Sequence, residues 1–135
     1  MNWDYITGFF DADGSVTAIS NNKGKNKTIQ VSFHNNERTI LEEIQKFILI
    51  DIGVKGFISK KDKLKEHHGV SFELKYSYQS GLKVANKLMS IHPKKKHRIE
   101  TYNLIQAKTK RNGKYTDEEQ QERNTLVMRF FQIEG

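Results

Sequence analysis

Residues 6–14 read Ile6-Thr7-Gly8-Phe9-Phe10-Asp11-Ala12-Asp13-Gly14. With Trp3 before them, Ile6, Phe9 and Phe10 recur at near-helical spacing, and either Asn2 or Asp4 can cap the helix they predict. Gly14 is the residue type that ends a helix. Gly8 and Ala12 are four apart, so they share one face with almost no side chain, and a second helix can approach closely there. Apolar residues surround that stripe, which predicts a helix buried nearly all round. In a short chain, such a helix points to a seam between two copies; burial within its own domain is the alternative. Asp13 falls at the helix C-terminus, where the macrodipole is negative and a carboxylate is unfavourable unless a cation compensates. Two symmetry-related helices would bring two Asp13 carboxylates together and build an oxygen site for a divalent ion. Asp11 has no comparable warrant and reads as structural.

Beyond Gly14 the period changes from helical to alternating. In 15–20, Val16 and Ala18 fall on one face, Thr17 and Ile19 on the other. After the loop 21–26, the stretch 28–33 puts Ile29, Val31 and Phe33 on one side and Thr28, Gln30 and Ser32 on the other, a hairpin with one packed and one wet face. Apolar positions 40, 41, 44, 47 and 48 predict an amphipathic helix over 37–50, ended by Gly53. A second strand pair spans 54–60 and 70–78. In the latter, Val70, Phe72, Leu74 and Tyr76 oppose Ser71, Glu73, Lys75 and Ser77. Ser80 is expected to cap a helix through Leu82, Val84, Leu88 and Met89 that ends before Pro93. A helix over 96–108 follows, and Thr116 with Glu119 makes a capping box for the last one. Two helix-strand-strand units in succession, without a clear sequence repeat, define a single α+β domain over 1–135. Helices cover one face of an antiparallel sheet, and its other face carries polar side chains suited to hydrogen-bonding a polar ligand. A merely solvated face is the plain alternative.

The segment 6–14 resembles the LAGLIDADG motif of homing endonucleases and group I intron maturases, matching at Gly8, Asp11, Ala12, Asp13 and Gly14. The element order αββαββα resembles that family's core, a saddle-shaped antiparallel sheet with additional C-terminal helices. Only the first motif is specific; the rest of the chain matches in pattern. The resemblance implies a metal-dependent, site-specific double-strand DNA endonuclease using Mg²⁺ or Mn²⁺, with no small-molecule cofactor. It implies Asp13 as the metal ligand and the Ala12 carbonyl as a lesser one. A polar residue after the second strand that orders metal-bound water is assigned to Asn35, with Glu37 the alternative. A basic residue before the C-terminal helix falls among Lys94, Lys95, Lys96 and Arg98; Lys96 is the choice, because it precedes the apolar phase of Ile99 and Tyr102. A single motif per chain implies a homodimer, with Ile6, Thr7, Gly8, Phe9 and Ala12 in the seam and a long, pseudo-palindromic target. On the wet face Thr17, Ile19, Asn21, Thr28, Gln30, Ser32, Ser71, Glu73 and Lys75 would meet base edges. Lys23, Lys25, Lys27, Lys60 and Lys61 would meet phosphates.

Composition agrees with that partner. The chain has 135 residues, a net charge of +7, a pI near 9.5 and a mean hydropathy of -0.74. The charge is segregated: residues 37–51 and 117–122 lean acidic, whereas 23–27, 55–65, 94–98 and 108–114 are basic. Basic loops beside acidic helices are an electrostatic pattern for phosphate binding. No apolar run approaches the roughly 20 residues of a membrane span, and the first residues lack the sections of a signal peptide. Without cysteine there is no disulfide and no thiolate metal site, so an intracellular setting is expected. Lys outnumbers Arg 18 to 5, which fits an A·T-rich genome: an organelle (chloroplast or mitochondrion), or a bacterial or phage intron. Asp-Ala-Asp-Gly makes a poor calcium loop, because the glycine comes too early and position 22 is Asn. His67, His68, His92 and His97 lack cysteine partners for zinc and read as surface residues. An intron RNA maturase, or a non-cleaving DNA-binding protein of the same fold, are the competing functions.

Overall fold

A computed structural model describes residues 1–21, 26–61, 70–107 and 116–132, with main chain alone at 18–21, 26–29, 106, 127 and 130–132. The element order is α1 (Trp3–Asp13), β1 (Gly14–Asn21), β2 (Asn26–Asn35), α2 (Arg38–Ile52), β3 (Phe57–Lys61), β4 (Ser71–Ser77), α3 (Tyr78–Lys87), α4 (Pro93–Ala107) and α5 (Asp117–Gln132). The strands form one antiparallel sheet in the order β1-β2-β4-β3. The second helix-strand-strand unit thus joins the first through β4, with the two hairpins side by side. This is the α+β arrangement expected from the alternating periods.

Each element begins where local chemistry allows. Asn2 caps α1 by accepting from the Tyr5 N–H at 2.8 Å. Gly53 takes the left-handed conformation, φ 70, that closes α2. Thr116 and Glu119 exchange both bonds of the expected capping box, at 3.1 and 3.2 Å. Three starts differ from expectation. Helix α3 begins at Tyr78, not Ser80, because Tyr78 itself adopts a positive φ of 56 that turns strand directly into helix. Helix α4 begins at Pro93, not Lys96: proline lacks only an N–H that the first turn leaves unbonded. Strand β3 starts at Phe57, not residue 54, since Val54 and Gly56 are tucked beneath the sheet. There the Gln45 amide donates to the Gly56 carbonyl at 2.8 Å.

The core lies on the sheet face bearing Val16, Val31, Phe33, Leu74 and Tyr76, covered by Ile6 and Phe10 of α1, Leu41, Ile44 and Ile48 of α2, and Val84 and Ala85 of α3. Phe33 is edge-on to both Phe10 and Tyr76, with ring centroids 5.9 and 6.3 Å apart. Ile99, Tyr102 and Ile105 of α4 and Leu126 of α5 extend this core. Helix α1 was expected from its composition to be buried nearly all round, and it is not. Only Ile6 and Phe10 are fully enclosed, while Tyr5, Gly8 and Ala12 are exposed along the opposite face. Ile6, expected in a seam between copies, therefore belongs to the chain's own core.

Candidate functional site

The C-terminal tip of α1 separates its two carboxylates. Residues two apart on a helix point to opposite sides, so Asp11 turns inward and Asp13 outward. The Asp11 carboxylate accepts from Ser90 Oγ at 2.5 Å and from the Ile91 N–H at 3.1 Å. One turn back, Thr7 Oγ1 accepts from the Met89 N–H at 3.3 Å. Asp11 is therefore structural, as read from the sequence: it ties the connection between α3 and α4 onto α1.

That tie delivers a cation. The Lys95 ammonium, in the first turn of α4, donates to the carbonyls of Phe10 and Asp11, each at 2.8 Å, and lies 5.2 Å from the centre of the Phe10 ring. A helix C-terminus presents unsatisfied carbonyls and negative dipole, and a lysine answers both. Burial pushes the Lys95 pKa below its ordinary value, against the pull of the Asp11 and Asp13 charges. Lys96, chosen in the sequence as the functional basic residue, is exposed on α4; Lys95, one of its alternatives there, is the lysine that the fold holds against the tip of α1. The apolar phase of α4 places Ile99 and Tyr102 in the core, and it is position 95 that shares their side of the helix. Arg98 is used otherwise, its guanidinium donating to the Val16 carbonyl at 2.8 Å.

Asp13 itself is exposed, and its charge is felt by Lys95 on one side and His34 on the other. Asn35 sits on the packed parity of β2, paired with Phe72. Its Oδ1 accepts the Glu37 N–H at 2.8 Å, so it shapes the entry to α2. Glu37 is exposed at that corner. His92 and His97 form no zinc pair: His97 contacts the Arg129 carbonyl at 3.0 Å, and His67 and His68 lie outside the described residues.

The polar sheet face contains more internal structure than alternation predicts. Ser15 and Ser32 hydroxyls are 2.7 Å apart, Ser32 Oγ is 3.2 Å from His34 Nε2, and His34 Nδ1 is 3.3 Å from Glu73 Oε2. Lys61 Nζ lies 2.7 Å from the same Glu73 oxygen, and Lys75 Nζ is 3.6 Å from the other. This chain of contacts crosses all four strands. Burial alone would raise the Glu73 pKa, but the Lys61 ammonium, with His34 and Lys75, overcomes it and holds the carboxyl below the ordinary glutamate value. Burial lowers the His34 pKa, opposed chiefly by Glu73. Ser32 and Glu73, expected to reach base edges, are 2% and 7% exposed and occupied by neighbours instead. Thr17, Gln30, Ser71 and Lys75 keep partly open positions, and Lys61 is open on the same face. Lys60, paired with Phe72, has the opposite parity to Lys61. The side chains of Ile19, Asn21, Lys27 and Thr28, and residues Lys23 and Lys25 entirely, lie outside what is described. His34 was missed because the predicted strand stopped at residue 33; two more residues of alternation would have placed it beside Gln30 and Ser32. An open groove of about 500 Å³, lined in part by Gln30, Lys75, Phe57 and Tyr78, adds an aromatic border to this face.

The family model of the LAGLIDADG-like domain matches residues 3–89, from the start of α1 to the end of the α3 segment. The chain belongs to the LAGLIDADG family. Among solved structures, the LAGLIDADG meganuclease I-AabMI bound to uncleaved DNA is similar with a TM-score of 0.65 at 17% identity, over 94% of this chain and 44% of that one. The LAGLIDADG homing endonuclease I-GzeII in complex with DNA target is similar with a TM-score of 0.69 at 17% identity, over 99% of this chain and 45% of that one. This LAGLIDADG chain thus spans less than half the length of either. A search of curated proteins finds no match.

Proposed function

We propose that the chain is one half of a homodimeric, site-specific double-strand DNA endonuclease that hydrolyses phosphodiesters with a divalent metal. The observation that carries this reading is the tip of α1. Asp13 projects outward next to a cation, Lys95, that the fold has gone to some length to hold there. Beside it runs the open face of Gly8 and Ala12, where a side chain added at Gly8 would meet nothing within 4 Å. Two copies packed through that face would match the length of I-AabMI or I-GzeII and bring two Asp13 carboxylates together.

The donors at the tip are hard oxygens, the Asp13 carboxylate and the Ala12 carbonyl, which suit Mg²⁺ or Mn²⁺. No cluster of three or more His, Cys, Asp or Glu side chains able to hold an ion occurs among the described residues of one chain, so a second copy would complete the set. Such an ion supplies charge neutralisation and an activated water for phosphodiester hydrolysis. Lys95 adds positive charge beside the same tip, for a developing phosphate charge. Glu37, exposed where Asn35 is engaged, is the better placed of the two to order water. The polar sheet face lies along the major groove, with Thr17 and Gln30 open to base edges and a two-fold protein requiring a roughly palindromic site.

Incubation with a plasmid library of randomised inserts, with Mg²⁺ and with EDTA, tests the reading. Cutting in Mg²⁺ alone is expected, and Asp13→Asn should abolish it while keeping DNA affinity within a few-fold of the parent. Equal cutting by the Asp13→Asn protein would remove this carboxylate from the chemistry. Tight binding of structured intron RNA with no DNA cut under any condition would favour a maturase instead.

A further inference from the structure

The ionic cluster on the sheet face presents its charges unequally. The Glu73 side chain is 9% exposed, whereas those of Lys61 and Lys75 are 51% and 39% exposed. The acceptor is hidden and the donors are displayed. An ammonium has three N–H donors; with one turned to Glu73, each lysine keeps donors for an outside ligand. Register fixes the arrangement: Glu73 lies between His34 of β2 and Ser59 of β3, Lys75 is two residues along β4 on the same face, and Lys61 is opposite Ser71. Behind Glu73 stand His34, Ser32 and Ser15, whose contacts hold the carboxylate from the far side. The low pKa of His34 means that the imidazole adds little positive charge of its own near neutrality.

We propose that Glu73 is a positioning residue that holds Lys61 and Lys75 together as one donor-only reader of guanine in the DNA major groove. The inference rests on the reading that this sheet face meets DNA, and it names what one part of the face selects. Guanine offers two adjacent acceptors, N7 and O6; adenine and cytosine place an amine donor there, and thymine offers one acceptor beside a methyl group. A surface displaying only donors accommodates the first edge and opposes the amines. Glu73 also cancels one of the two lysine charges and limits the freedom of both side chains. That weakens their sequence-independent attraction to phosphate and favours an oriented contact.

Duplexes selected by the unmodified protein from a randomised library provide the probe. Each half-site is expected to contain one guanine whose replacement weakens binding about ten- to a hundred-fold. Lys61→Met and Lys75→Met should each flatten that dependence. Glu73→Gln, nearly isosteric, should reduce it while tightening binding to random duplex and steepening the salt dependence by about one unit. A purely structural Glu73 would lower the unfolding midpoint and leave base preference intact, which would overturn the proposal. Equal weakening of all sequences by the lysine variants would also overturn it, making them phosphate contacts. If Glu73→Gln fails to fold, the lysine variants still decide, because each leaves Glu73 paired with the other lysine. An unmodified protein that binds no duplex at all would instead overturn the assignment of this face to DNA.

Discussion

Lys95 and Lys96 are neighbours in sequence and about 100° apart around α4, and that step separates a lysine engaged with two carbonyls from a solvated one. Lys95 supplies both hydrogen bonds that the Phe10 and Asp11 carbonyls receive from α4. Hydrogen bonds involving a charged donor contribute roughly 1.5–3 kcal/mol, and partial exposure places this pair at the low end. Lys95→Met should therefore lower stability in denaturant titration by about 1–3 kcal/mol and suppress cleavage. Lys96→Met should shift stability by no more than about 0.5 kcal/mol and leave cutting unchanged. Loss of cutting in Lys96→Met with full activity in Lys95→Met would reverse the assignment.

Helix α1 has one face in the core and one open, and a glycine on the open face tests the proposed seam. Space around Gly8 is open in a single chain, so Gly8→Leu should still fold cooperatively, yet sediment as a monomer, lose the concentration dependence of its thermal midpoint and fail to cut. A parent protein that is monomeric at micromolar concentration, with and without DNA, would remove the seam. Gly81 in α3 behaves oppositely. A Cβ there would meet the Tyr76 carbonyl at 2.7 Å and the Tyr102 hydroxyl at 2.8 Å, because the helix starts immediately off the end of β4 and crosses it closely. Gly81→Ala should destabilise the protein by about 1–3 kcal/mol through overpacking, measured by thermal or urea unfolding, even though alanine is the better helix former.

Across the molecule, acid should loosen the polar sheet face. Glu73 has a folded pKa below its ordinary value, so its contribution is complete above the ordinary glutamate range and is lost as pH falls through the folded value. The lowered His34 pKa acts in the same direction, beginning at higher pH, since an imidazole that resists protonation when folded takes up its proton on unfolding. Stability should therefore decline from mildly acidic pH downward, and Glu73→Gln should flatten the more acidic part of that decline. An acid limb identical in parent and Glu73→Gln proteins would show that the carboxylate's partners do not stabilise the fold.

Much of this was legible along the chain. Period 3.6 and period 2 in the apolar residues, with Gly53 and the Thr116–Glu119 box as punctuation, determined the order of elements and the two faces of β1, β2 and β4, because burial selects residues by spacing; β3 showed no such alternation, and its faces came from its pairing with β4. The motif at 6–14 determined the family, and Asp11 read there as structural; its inward turn onto Ser90 and Ile91 came from the fold. What the tertiary structure decided lies between elements. Which lysine of three reaches α1 depends on how α4 is rotated and on Ser90 and Ile91 being tied to Asp11, contacts about 80 residues apart in sequence. That Ser32 and Glu73 are covered while Lys61 and Lys75 are displayed depends on strand register across β2, β4 and β3. Alternation assigns a side chain to a face, but only its neighbours on adjacent strands settle whether it is free to meet a ligand there.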